Sequence, residues 1–280
     1  MAFNPIFRGE TKLLNINGTR LNVYYSDWNH QKELPTILLI HGTIAHWLDW
    51  KYQIAFLEKY ANIIAFDIRG HGKSDLGGGF DIDILIQDIH GILDFLRIDK
   101  CIIGGHSFGG VMAQIFARRF NRKVEGLILV DSPYRCEAQW DDRLVEVLPD
   151  YITKRFFFSN NFLGRYIAWN MFFSPSTSKE IVNEYLDDHI ESMKIYSPKT
   201  FKSFKCLFGF NSAGWLHSLT MPALVVVGKD DKIIPVVEAE KLHQLLPYSR
   251  LVKLNSGHLP MYEDYTGLNR AIRDFLDSMK

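Results

Sequence analysis

The chain has 280 residues, 47% of them apolar, and its 32 basic and 32 acidic side chains cancel to a formal net charge of +0. That length supports a large core in a single α/β unit, and the charge balance offers no excess of cations for a phosphate backbone, which argues against nucleic acid as a partner. Met1 to Glu10 lack the apolar run of a leader, no apolar run reaches the length of a membrane span, and three scattered cysteines (Cys101, Cys136, Cys206) form no disulfide or metal pattern, so a cytoplasmic chain with buried thiols is expected.

Lys12 to Asn17 and Arg20 to Tyr25 alternate apolar with polar residues around Asn17-Gly18, a dipeptide suited to a tight hairpin, and predict two antiparallel edge strands. Short apolar runs then recur at Thr36 to Ile40, Ile63 to Phe66, Cys101 to Gly104, Gly126 to Val130 and Ala223 to Val227, as parallel strands buried on both faces require. Helical spacing fills the intervals, at Trp50 to Tyr60, Ile82 to Leu96, Val111 to Phe120 and Val236 to Leu246, and again at Asn269 to Met279. Alternating strand and helix predict an α/β fold with a mostly parallel central sheet of about eight strands flanked by helices.

Between Val130 and Met221 no strand-like run appears. Residues 133–219 are therefore expected to form an inserted helical cap, with 1–132 and 220–280 building the core. The insert carries Phe156, Phe157, Phe158, Phe162, Tyr166, Trp169, Phe172 and Phe173, more large rings than a solvated layer holds without something to cover. Most are expected to form the cap's own core and docking face. A minority, for which Trp169 and Phe172 are the candidates, would line an apolar substrate pocket.

Gly105-His106-Ser107-Phe108-Gly109-Gly110 follows one predicted strand and precedes a predicted helix. In that context Gly-x-Ser-x-Gly describes a nucleophile elbow: a sharp turn holds the serine over the sheet edge, and its flanking positions must be small for strand and helix to approach. The adjoining helix N-terminus favours developing negative charge near Ser107.

With this elbow, His41-Gly42 after the third strand and Arg69-Gly70-His71-Gly72-Lys73-Ser74 after the fourth, the sequence resembles the α/β-hydrolase superfamily along nearly its whole length. The resemblance implies the chain order serine, acid, histidine. His189, His217, His243 and His258 follow Ser107; the first two fall in the insert and His243 lies mid-helix. His258 follows the strand-like run Arg250 to Leu254 on the loop Asn255-Ser256-Gly257, and its Ser-Gly-His is similar to the family's base loop. Within Gly228-Lys229-Asp230-Asp231-Lys232-Ile233-Ile234-Pro235 the family spacing selects Asp231 as the acid and leaves Asp230 as a turn residue, while Asp131 occupies the place where some relatives carry theirs. Beyond His258, Pro260 and Glu263 read as helix initiation and surface charge. The resemblance also implies that the backbone N–H groups of Thr43 and Phe108 form an oxyanion hole. His41, His71 and His106 match no metal-ligand spacing and are expected to brace the turns; no metal and no cofactor is expected, and no dinucleotide or triphosphate motif is present.

These residues imply hydrolysis of a small to medium, largely apolar carboxylic ester through an acyl-serine, the partner being a small-molecule substrate. The same scaffold also admits a carbon–carbon bond hydrolase or lactonase on the same triad, a cofactor-independent heteroaromatic dioxygenase using Asp131, and a hydrolase-like ligand receptor.

Overall fold

The hairpin around Asn17-Gly18 joins β1 (Glu10–Ile16) to β2 (Thr19–Tyr25), with Asn17 at φ 50° and Gly18 at φ 76°, the two positive angles that a tight turn between twisted strands needs. The structure, a computed structural model, describes residues 5–27, 33–137, 162–195 and 206–279. The predicted Phe156, Phe157 and Phe158 lie outside the described residues, as does the side chain of Phe162.

The buried apolar runs form β3 (Thr36–Ile40), β4 (Asn62–Phe66), β5 (Cys101–His106), β6 (Val124–Val130), β9 (Ala223–Gly228) and β10 (Ser249–Leu254). With the hairpin they build an eight-stranded sheet in the order β1-β2-β4-β3-β5-β6-β9-β10. Only β1 and β2 run antiparallel to their neighbours; β4 through β10 in that order pair in parallel.

Side chains alternate across the sheet, so Leu38, Ile40, Ile64 and Phe66 enter one core while Ile37, Leu39, Ile63 and Ala65 enter the other. The first core is covered by α2 (Ile82–Phe95), α3 (Phe108–Arg119) and α6 (Val236–Leu245), through residues such as Ile89, Phe116 and Leu242. The second is covered by α1 (Lys51–Leu57) and α8 (Tyr265–Ser278), through Ile54, Leu57, Ile272 and Phe275. No helix among the described residues is long and apolar enough to cross a membrane.

Two helices are described between β6 and β9, α4 (Phe162–Phe172) and α5 (Lys179–Ile195). Phe173, Val182, Tyr185 and Leu186 join the second core, so this segment packs on the sheet's own layers. The expectation that residues between Val130 and Met221 hold no strand is corrected in one detail: β7 (Arg135–Cys136) pairs antiparallel with β8 (Phe210–Asn211). Two residues per strand are too few to leave an alternation in the sequence, but they tie the outgoing chain to the returning one.

Loops over the carboxyl edge of the sheet are held by buried acids. Asp67 Oδ1 accepts the Trp47 N–H at 2.9 Å, and its Oδ2 accepts from Asn22 Nδ2 and Lys73 N, each at 2.9 Å. Arg69 makes a two-pronged contact with Asp88, Nε to Oδ2 and Nη2 to Oδ1, both 2.6 Å, with the pair only 3% and 2% exposed. Asp88→Asn would leave a guanidinium charge buried without its counter-charge, so a loss of about 3–5 kcal/mol is expected in urea denaturation. Removing the exposed Arg20–Asp75 pair instead should cost less than about 1 kcal/mol; equal losses from both would contradict this account.

Candidate active site

Ser107 sits where β5 passes directly into α3, at φ 51° and ψ −116°. The helix starts at Phe108 rather than at the predicted Val111, so no loop intervenes between strand and helix. A Cβ on Gly105 would lie 2.2 Å from the carbonyl carbon and oxygen of Gly109, a distance no side chain can occupy. Ser107 itself is half-buried between buried neighbours, and its N–H donates to the Val130 carbonyl at 2.9 Å.

His258 follows β10 on a loop seated against the end of α4. Its N–H donates to the Phe172 carbonyl at 2.7 Å, and a Cβ on Gly257 would lie 2.6 Å from that same oxygen, so glycine permits the close approach. Glu263, expected as surface charge, is instead half-buried and holds this loop. Its Oε1 accepts from Gly257 N at 2.9 Å and Leu259 N at 3.2 Å, while Oε2 accepts from Ser174 N at 2.8 Å and from the Thr177 hydroxyl. A carboxylate bound to unpaired loop amides is favoured over solvation because it satisfies several buried donors at once. Pro260 opens α7 (Pro260–Glu263) at its first position, as expected.

His258 Nδ1 lies 2.7 Å from Asp231 Oδ2. The other oxygen of Asp231 accepts from Ile233 N at 2.7 Å and Ile234 N at 2.9 Å, which points the carboxylate at the imidazole. Burial alone would raise the Asp231 carboxyl, but His258 and these two amides together bring it below its ordinary value. Asp131 is fully buried at φ 44°, and its Oδ1 accepts the Gly228 N–H at 2.8 Å. Burial, then the charge of Asp231, pushes its carboxyl well above the ordinary range, as expected when two carboxyls share one site. One carboxylate oxygen of Asp131 still stands within 4.8 Å of a ring nitrogen of His258 and one of His106. Of the two candidate acids, Asp231 is the one at hydrogen-bond distance from His258, on its Nδ1.

Phe108 is the first residue of α3, where a backbone N–H has no partner inside the helix. Thr43 lies in the turn after His41-Gly42; a Cβ on Gly42 would be 3.5 Å from the Ser107 Cβ, which brings this turn beside the serine. The three bracing histidines are buried and held by backbone. His41 Nδ1 donates to Gly42 O at 2.7 Å while Nε2 accepts the Ile68 N–H at 2.9 Å, His71 Nδ1 lies 3.2 Å from Arg69 O, and His106 Nε2 lies 2.8 Å from His258 O. Burial, followed by the neighbouring His258, depresses His106 to about 3, so it is neutral.

In α4 the exposed Tyr166 and Met171 face away from the core, while Trp169 and Phe172 are half-buried against the second core. The Phe172 ring centre lies 6.3 Å from that of His258, so of the two candidate pocket rings it is placed beside the imidazole. Asp230 does more than turn the chain, because its Oδ2 accepts the Ser174 hydroxyl at 2.6 Å and links the acid loop to the insert. His243 contacts Ser249 Oγ at 2.8 Å at the far end of α6.

The family model described as alpha/beta hydrolase fold matches residues 35–265. A proline iminopeptidase of Saccharolobus solfataricus is 27% identical over 283 aligned positions, covering 92% of this chain and 90% of that protein. Among solved structures, the enol-lactonase from Burkholderia xenovorans superposes with a TM-score of 0.81 at 21% identity, covering 94% of this chain and 99% of that one. A thermophilic esterase from Thermogutta terrifontis reaches a TM-score of 0.79 at 23% identity, with 97% and 98% covered.

The turn at Ser107 yields a direct test of its packing. Gly105→Ala should lower stability by about 1–3 kcal/mol or more, since the added methyl meets backbone that cannot rotate away. Gly78→Ala, where an added Cβ meets nothing within 4 Å, should stay within about 0.5 kcal/mol of the parent. Similar denaturation midpoints for the two variants would show the elbow to be looser than described.

Proposed function

The chain belongs to the alpha/beta hydrolase fold family, a hydrolase by that membership, and on that premise we propose that it cleaves small to medium, largely apolar carboxylic esters through an acyl-enzyme on Ser107. The observation that carries the reading is the 2.7 Å contact between His258 Nδ1 and Asp231 Oδ2, together with a serine held at φ 51° on a strand-to-helix turn whose preceding residue, His106, meets the His258 carbonyl at 2.8 Å.

In this proposal Asp231 holds the His258 proton on Nδ1, which leaves Nε2 with the lone pair that takes the Ser107 hydroxyl proton. The alkoxide oxygen adds to the substrate carbonyl. The developing oxyanion is received by the N–H groups of Phe108 and Thr43. As the tetrahedral adduct collapses, His258 returns its proton to the departing alcohol; a water molecule, deprotonated by the same nitrogen, then attacks the acyl-serine and releases the acid. The proton taken from Ser107 leaves with the alcohol and the one taken from water returns to Ser107 through His258, so the sequence of steps needs no cofactor.

Residues 133–219 act as the cap in this reading, and the two-residue ladder of β7 with β8 supports placing its base there. Phe172 contributes an apolar wall on the His258 side and Trp169 packs beside it against the same core, which favours an uncharged acyl or alcohol group over a polymer.

A fluorophosphonate probe should label Ser107, located by mass spectrometry, and Ser107→Ala should remove both the label and turnover of chromogenic esters while retaining the parent's circular dichroism. A loss of about 10⁴-fold or more is expected. Full ester turnover in the variant would overturn the assignment, and faster release from aminoacyl anilides than from matched esters would move the substrate class from esters to amides.

The two acids are separated by a second pair of variants. Asp231→Asn should cost about 10⁴-fold in turnover, because an amide leaves the imidazole in the wrong tautomer. Asp131→Asn should keep most activity, since burial and then the charge of Asp231 push this carboxyl toward its neutral form, and Asn preserves its shape and its acceptor for Gly228 N. The reverse pattern would transfer the acid to Asp131 and make oxygen uptake with hydroxyquinolone-type substrates the next measurement.

A further inference from the structure

A second cluster of buried ionisable groups lies apart from Ser107, where α5 of the insert meets the loop after β3. His46, Asp49 and His189 are 4%, 0% and 0% exposed, and one ligand atom from each falls within 4.8 Å of the others. Nothing in the proposed ester cleavage uses them.

The hydrogen bonds of the two rings leave an imbalance at their centre. His189 Nδ1 lies 2.7 Å from the Tyr185 carbonyl, which can only accept, so this nitrogen carries the proton. His46 Nε2 lies 3.2 Å from the Asp188 carbonyl and carries its proton for the same reason. In neutral imidazoles the second nitrogen of each ring is then a bare lone pair. Both oxygens of Asp49 and Nε2 of His189 are buried without a hydrogen-bond partner. His189 Nε2 and Asp49 Oδ1 nevertheless approach to 2.8 Å, a lone pair against a carboxylate oxygen unless something positive stands between or beside them.

Burial lowers the His189 imidazole but Asp49 raises it on balance, so a second proton on His189 is the alternative source of that charge, although Asp49 Oδ1, 2.8 Å away, lies off the ring N–H direction. A metal ion is not bound by that condition, because it sits off the line between its ligands. Two donor atoms each about 2.1 Å from one tetrahedral ion are about 3.4 Å apart, so Asp49 Oδ1 and His189 Nε2, now at 2.8 Å, would part slightly to admit it. Imidazoles held by backbone carbonyls through their other nitrogen are also in the state in which proteins present histidine to metals.

We propose that His46, Asp49 and His189 bind a divalent transition-metal ion of the zinc class, which staples α5 to the loop between β3 and α1. Two imidazoles and one carboxylate select such an ion over magnesium or calcium, which prefer sets made of oxygen. Neighbouring groups do not compete for the position. Lys51 Nζ is engaged by Glu184 at 2.6 Å and Asp188 at 2.5 Å, and both nitrogens of His41 are occupied by Gly42 and Ile68. The sequence pointed away from a metal because His46 and Asp49 lie in one loop whereas His189 arrives from the insert, a separation that no short motif records.

The test uses the full chain without an affinity tag. The protein is stripped with dipicolinate, dialysed, and titrated with Zn²⁺ by calorimetry, with bound metal counted by plasma mass spectrometry and thermal unfolding followed with and without the ion. One ion per chain and an unfolding temperature that rises with free Zn²⁺ are expected. Asp49→Ala and His189→Ala should each weaken binding by more than about 100-fold, beyond what loss of an outer-sphere partner causes. His46→Gln, which retains a donor for the Asp188 carbonyl, serves as the milder variant should the others fail to fold. Co²⁺ in place of Zn²⁺ should give visible d–d bands that vanish in the variants. A stripped wild-type chain that takes up no stoichiometric ion and gains no thermal stability overturns the proposal and assigns the charge to a proton on His189. Unaltered zinc binding in folded His46→Gln or His189→Ala likewise overturns it, placing the ion on other histidines.

Discussion

A strand that becomes a helix without a loop leaves no room for side chains on either flank of the turn, and the site around Ser107 depends on that constraint. The turn is possible only because Gly105 lets the Gly109 backbone pass at a distance that a methyl group would fill. The reward is geometric. Ser107, forced to φ 51°, is half-buried where its neighbours on both sides are buried, and α3 begins at the residue after it. Backbone strain of this kind costs on the order of 1–3 kcal/mol and persists only where the surroundings fix it. Here β3 and β6 hold β5 from both sides, and the Ser107 amide is itself tied to Val130.

Around that turn, carboxylates organise the loops by collecting backbone amides. Asp67 joins the loops after β3 and β4, Asp231 fixes its own turn through Ile233 and Ile234, and Glu263 binds amides on either side of His258 together with the start of the segment after α4. In each case the acid does for an irregular segment what a ladder does for a strand, satisfying donors that burial would otherwise leave unpaired. The arrangement also connects the end of α4 to the histidine loop, because Ser174 meets both Glu263 and Asp230 while Phe172 accepts the His258 amide. Movement of α4 would therefore be felt at His258 through hydrogen bonds and not only through ring contact.

Asp131 and Asp231 illustrate how one site holds two acids. Side by side and buried, they cannot both ionise cheaply, and the one that faces an imidazole and two amides keeps the charge while the other is driven toward the neutral form. Their difference lies in surroundings, since both are aspartates at the carboxyl ends of adjacent parallel strands, β6 and β9.

The sheet, its flanking helices and the elbow were legible in the amino-acid sequence because each leaves a local trace: apolar runs of strand length, helical spacing between them, and glycines two residues either side of a serine. His258 and Asp231 were legible as candidates through their position after predicted strands and through resemblance to a known family. What lay beyond reach was whatever depends on contacts between distant segments. Glu263 looked like surface charge since a lone acid after a proline carries no sign of the amides it will meet, Asp88 gave no hint of its pairing with Arg69, and the β7–β8 ladder is too short to show a period. The meeting of His189 with Asp49 is the extreme case, a contact decided wholly by where the insert lands on the core. Periodicity and turn chemistry act over a few residues and so are written in the chain; the partner of a buried charge is chosen by packing, which only the folded structure decides.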